Sequence, residues 1–149
     1  MSFEATEEAI VARLEAKLGA LVKKVYTASE IAQVEEASQI VPSVAVVYNG
    51  YIPVPSLNGS QGKIQSIDKS WLAVVSVRNA GATRTQGGAR QDASPIIDGV
   101  LTALLGWRPG VDGEMPLQII QSPGAAFTDA GFAYYPIAFT NRRTYRGLD

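Results

Sequence analysis

The side chains able to do chemistry in this chain are carboxylates and cations, because it contains no His and no Cys. Losing His removes the commonest general base and the commonest transition-metal ligand, and makes a Ser-His-Asp triad impossible. Losing Cys excludes disulfides, thiolate nucleophiles and Cys-ligated zinc. Asp92, Asp98, Asp112, Glu114 and Asp129 are the acids that could meet as a glycosidase-like carboxylate pair or an all-oxygen Ca²⁺ or Mg²⁺ site. Their spacing matches no EF-hand, and acids on loops and helix faces are ordinarily solvated. There is no GxxxxGK[ST] loop, and Gly81 with Gly87-Gly88 fails the spacing of a dinucleotide fingerprint. The expectation is a protein that is not an enzyme and needs no cofactor or metal.

The cations are arranged more suggestively. Asn79–Ala93 reads NAGATRTQGGARQDA, with Arg84 and Arg90 set among glycines and Asp92 as its one acid. Loops of about fifteen residues inside a compact domain are commonly functional or disordered. Gly adapts to shape, and Arg binds carboxylates or phosphates, so the stretch reads as a mobile contact surface. From Lys69 to Gln91 the bases Lys69, Arg78, Arg84 and Arg90 occur with no acid. Arg142, Arg143 and Arg146 form a second group around Tyr145, whereas residues 1–38 hold seven acids and four bases. Aromatics interleaved with arginines can stack on bases. The sequence pI of about 5.5 and the strand setting of Tyr135 and Phe139 argue against sequence-specific nucleic-acid binding. Trp107 reads either as an interface anchor or as the cover of a helix end.

These groups need elements to hold them. Ile10, Leu14, Leu18, Leu21 and Val25 recur at helical spacing and predict a helix from about Phe3 to Lys24, with Gly19 a possible close-approach point. Thr27 and Glu30 form a capping-box pattern for a helix over Ala28–Ala37. A strand is expected at Ser43–Tyr48. A hairpin is expected from Lys63–Ile67 to Trp71–Arg78, turning at Asp68-Lys69-Ser70. Ser94-Pro95 should open a helix presenting Ile97, Leu101, Leu104 and Leu105. Leu117–Gln121 reads as a strand and Ser122–Asp129 as a loop. Phe132–Thr140 is the last strand, placed at an edge or bulged by Pro136, and a polar tail follows over 141–149.

The 149 residues, 46% of them hydrophobic, make one domain that can bury about two thirds of its unfolded surface. No apolar run reaches the ~20 residues that span a bilayer, and MSFEATEEA lacks a signal peptide's basic start. No membrane partner is expected. The mixed order of helices and strands predicts an α+β fold, with a mixed, mainly antiparallel sheet and helices on one face.

The blocks IVPSVAVVYNGY (Ile40–Tyr51), WLAVVSVRN (Trp71–Asn79), SPIIDGVLTALLGW (Ser94–Trp107) and YYPIAFTNRRTYR (Tyr134–Arg146), in that order after an amphipathic N-terminal helix, resemble the small phage tail terminator proteins, especially those of Mu-like phages and prophages. The resemblance implies a virion protein, made in the bacterial host cytoplasm, that assembles into a hexameric ring. That ring would cap the head-proximal end of the tail tube, stop its growth and offer a docking surface to head-completion proteins. DNA would cross its lumen without being read. A head–tail connector or neck protein is the alternative, and a small ligand-binding domain a more distant one. On this reading Arg78, Arg84, Arg90, Trp107, Arg142, Arg143, Tyr145 and Arg146 are the interface candidates, chosen from charge and loop placement.

Overall fold

A computed structural model describes residues 2–55, 62–79, 86–110 and 113–149. Helix α1, Ser2–Leu18, buries Ile10, Val11, Leu14 and Leu18 as the helical spacing requires. It stops six residues before the expected end. Lys24–Thr27 instead forms strand β1, parallel to β2, Ser43–Pro53. Thus Val25 is a core strand residue and Leu21 is exposed. The β-branched and aromatic segment Val25-Tyr26-Thr27 gains backbone partners in the sheet, and this tertiary gain overrides a weak local helical preference.

Helix α2 covers Ala28–Ala32, shorter than expected, and a 3-10 turn follows at Glu36–Ser38. Its capping box is present: the Glu30 N–H donates to Thr27 Oγ1 at 3.1 Å, and the Thr27 N–H donates to Glu30 Oε1 at 3.0 Å. The Thr27 amide and then Lys24 hold the Glu30 carboxyl below its usual range.

Strand β3 runs unbroken from Ile64 to Arg78. The expected hairpin turn at 68–70 does not exist, and those three residues lie mid-strand. All fifteen residues pair antiparallel with β6, Phe132–Arg146, from Ile64↔Arg146 to Arg78↔Phe132. The expected polar tail is therefore strand as far as Arg146. Helix α3, Gln86–Leu104, begins eight residues before the expected start. Its residues 86–93 are helical rather than loop, and 80–85 lie outside the described residues. Pro95 sits inside α3 but on its exposed side, so the helix loses one hydrogen bond where water can replace it. The buried stripe is Ala93, Ile96, Val100, Ala103 and Leu104, shifted from the expected one. Ile97 and Leu101 are only partly buried and Leu105 is exposed.

Two-residue strands β4, Gln118–Ile119, and β5, Ala126–Phe127, pair with the outer edge of β6. The sheet order is β1-β2-β3-β6-β4, with β5 also on β6. Pro136 falls between the stretches of β6 that β4 and β5 cover, opposite Val74, and the β3–β6 register shows no bulge there. A missing N–H at that outer gap removes no ladder bond. The sheet is mixed and mostly antiparallel, and the fold is α+β as expected.

Helices α1 and α3 pack together over Val44, Val46, Ala73, Val75, Ile137 and Phe139. The close-approach glycine is Gly99, not Gly19. A Cβ at Gly99 would lie 2.6 Å from Leu18 Cδ2, whereas Gly19 faces only its own helix's Glu15 carbonyl.

The 3-10 turn is tied to β6. Tyr134 Oη donates to Glu36 Oε2 and accepts from Gln39 Nε2 at 2.9 Å. Burial, then the Glu36 carboxylate, pushes the Tyr134 phenol up to about 12. A raised phenol favours the folded state only while that state holds the proton and the unfolded chain gives it up. Its contribution is thus intact below the ordinary tyrosine value near 10 and fades as pH climbs to about 12. Ultraviolet titration should show a phenol ionising near pH 12, and Tyr134→Phe should remove that step.

Candidate interface

Strands β2, β3 and β6 continue past the helices as a three-stranded arm. Residues 49–53, 64–65 and 142–146 are exposed or half-buried there. The β2–β3 register shifts between Tyr48 and Tyr51, where Gly50 has φ +86°. An extra residue is absorbed at that point, as in a glycine bulge. Tyr48 pairs with Trp71 and Tyr51 with Lys69, so both tyrosines look to the helix side. With Phe3, Glu4, Glu7 and Trp71 they line a groove of about 330 Å³. Phe3 meets Tyr48 edge-on at 5.1 Å, and Tyr48 meets Trp71 at 5.3 Å. Burial raises the Tyr48 phenol, with Tyr51 and Tyr145 adding to the shift.

The last residues of β6 bring four of the expected candidates together on this arm. Arg142 is exposed and holds Asp68 bidentately at 2.8 and 3.1 Å. Arg146 is exposed. Arg143 is partly buried, with its guanidinium 5.3 Å from the Tyr145 ring centroid. The strand's alternation puts Arg143 and Tyr145 on one face and Arg142 and Arg146 on the other.

Arg78 and Arg90 lie elsewhere. Arg78 ends β3, donating from Nε to the Ala130 carbonyl at 3.2 Å and covering the Phe132 ring at 4.9 Å. Arg90 is an exposed residue of α3, and its charge opposes the rise that burial gives the Tyr135 phenol. Arg84 lies outside the described residues. The two ends of β3 are roughly 45 Å apart at strand rise, so the two cationic groups are separate patches. Trp107 joins neither. It packs on the core beneath the Arg13 guanidinium at 5.4 Å, and its backbone accepts from the Leu117 N–H at 2.9 Å. It covers the end of α3.

The sequence reading missed a buried polar cluster at the root of the arm. Lys69 is 0% exposed and Glu114 1%. Lys69 Nζ donates to Glu114 Oε1 and, at 3.3 Å, to Thr6 Oγ1. Thr6 Oγ1 donates to the same carboxylate oxygen at 2.6 Å. Asn141 Nδ2 donates to Glu114 Oε2 at 2.7 Å, and Trp71 Nε1 donates to Asn141 Oδ1 at 3.0 Å. The Phe3 ring lies 4.9 Å from the ammonium. Four chain segments thus converge on one carboxylate. The missed signal was the lack of any Gly, Pro or Asn between Ile64 and Arg78, which favours one long strand over a hairpin.

Among the described residues no group of three or more His, Cys, Asp or Glu side chains could hold a metal. Of the five candidate acids, Glu114 is committed to Lys69, while Asp92, Asp98 and Asp129 are exposed. Asp112 lies outside the described residues. No helix is long and apolar enough to cross a membrane among the described residues.

The described residues thus carry aromatic and cationic side chains on the arm and further cations towards the far end of the sheet. The profile of the family described as phage tail terminator protein matches residues 1–147, and the chain belongs to that family. It is accordingly a structural protein of a phage tail and a virion component. A chain of a solved structure titled "Virion of native gene transfer agent (GTA) particle" is similar in fold, with a TM-score of 0.57 over 93% of each chain at 16% identity. No curated protein sequence gives a significant match.

Proposed function

We propose that six copies of this chain close into a ring at the head-proximal end of a phage tail tube, end the tube's growth and present a docking face to head-completion proteins. The observation that carries this reading is the pair of unlike patches at opposite ends of the β3–β6 ladder. A closing ring needs a heterologous interface, in which each subunit offers two different surfaces. Arg90 with Arg78 supplies one, and the arm with Tyr51, Arg142, Tyr145 and Arg146 supplies the other. Arg84 lies outside the described residues and is assigned to the first of these from its charge alone. Termination then requires no bond chemistry towards a partner. One face of the ring matches the last tube ring, and the other refuses a further tube subunit. DNA crosses the lumen without base-specific contact. Membership of the Mu-like group fits the block order of the sequence.

Electron microscopy of the purified protein, alone and with its tube protein, tests the reading. Six-fold rings seated on tube ends are expected, and monomers that ignore tubes would overturn it. Deleting the gene should give overlong tails. Tails of normal length that fail to join heads would assign the protein to the neck instead. Arg84→Glu with Arg90→Glu should leave the monomer within about 0.5 kcal/mol of its original stability, yet weaken ring or tube association and change its salt dependence. Unaltered assembly would make these ordinary surface charges.

A further inference from the structure

We propose that Lys69 and Asn141 become joined by an amide bond, formed inside the folded chain with Glu114 as the proton relay. The argument rests on the buried cluster alone and is independent of the ring. Lys69 and Asn141 are direct partners in the β3–β6 register, and such cross-strand pairs hold their Cβ atoms about 5 Å apart. Their reacting groups sit on the two oxygens of one carboxylate: Lys69 Nζ on Oε1, and Asn141 Nδ2 on Oε2 at 2.7 Å. The Asn141 carbonyl oxygen accepts from the Trp71 indole N–H at 3.0 Å. A nucleophile, an acyl group, a proton carrier between them and a donor on the carbonyl oxygen are the parts that acyl transfer requires. Lys69 and Glu114 are at most 1% exposed, as is Asn141. Water is thereby kept from competing as the nucleophile, and the groups are held in place.

The step balances without any co-reactant. Lys69 gives a proton to Glu114 Oε1, and the freed lone pair forms a bond to Asn141 Cγ. The carbonyl electrons move onto Oδ1, beneath the Trp71 N–H. Glu114 delivers a proton to Nδ2 and takes one from Nζ. The Cγ–Nδ2 bond breaks as the carbonyl re-forms, and ammonia leaves. Ammonia then takes the proton that Glu114 retains and departs as ammonium, so the carboxylate ends as it began. The reaction occurs once per chain and ties the middle of β3 covalently to β6.

Intact-mass spectrometry of the denatured full-length protein tests this. The chain should weigh one ammonia less than its sequence requires. Tandem spectra of a digest should show the peptide containing Lys69 joined to the peptide containing Asn141, which separates the cross-link from cyclisation of Asn141 on its own backbone. Glu114→Gln and Lys69→Met should both restore the full mass. Asn141→Asp should lose one water in place of ammonia and yield the same linked peptides. A wild-type chain at full sequence mass, or a lighter one that releases the Lys69 peptide free, overturns the proposal.

Discussion

Relative to the chain in which Lys69 is still a free ammonium, Lys69→Met is expected to destabilise the fold by about 3–5 kcal/mol, because it leaves the Glu114 carboxylate buried without that charge. Glu114 is 1% exposed and lies against Lys69, Thr6 and Asn141. Once the ammonium is gone, two neutral donors remain, and the one cation left is the Arg143 guanidinium, 4.0 Å from Glu114 Oε1 and too far to replace the direct Lys69 contact. The alternative, protonation or water entry at the root of the arm, disturbs the Trp71–Asn141 contact at 3.0 Å. Denaturant unfolding checks the magnitude. Adding Glu114→Leu to Lys69→Met should recover the part of the loss that comes from the unpaired charge. A single Lys69→Met variant as stable as the parent would mean that the cluster is hydrated.

Leu14→Ala is expected to cost about 2–5 kcal/mol, through lost burial and the cavity left behind. Leu14 is 0% exposed on the face that α1 turns to the sheet and α3. Gly99 brings α3 so close to Leu18 that the two helices have little freedom to collapse into the space. A negligible change in the unfolding midpoint would mean that α1 is not packed in the free subunit.

What the sequence disclosed was whatever local physics settles. The capping box at Thr27 and Glu30 depends on residues three apart, and both of its hydrogen bonds are present. The Ile10–Leu14–Leu18 stripe depends on helical spacing, and all three residues are buried. The α+β class and the family resemblance rested on the order of such blocks. The misreadings concern residues whose state is fixed by distant partners. Lys69 looked like a turn residue because its partners, Thr6 and Glu114, are 63 and 45 positions away. Asn141–Arg146 looked like a tail because its composition is polar, yet each residue is paired to 64–69 across the ladder. Val25 sat on the extrapolated helical stripe, and only alignment with Val44 makes it strand. The start of α3 was hidden by Ser94-Pro95, a good helix opening that here lies well inside the helix. Of the interface candidates, the arm residues at the end of β6 are gathered by that strand, and Trp107 turned out to be packing.

Gly50 gives the arm an unusual property. Nothing lies within 4 Å of where a side chain would stand at this position, so the only objection to one is its φ of +86°. A β-branched residue there, unable to hold that angle comfortably, favours a ladder with no extra residue. If the strand slides by one place to achieve it, Tyr51 turns to the opposite surface and Ile52 takes over its outlook. The outer half of β2 thus has its handedness of display written in a single torsion. A lineage could exchange what it shows its neighbours there by altering one codon, with the interior left untouched.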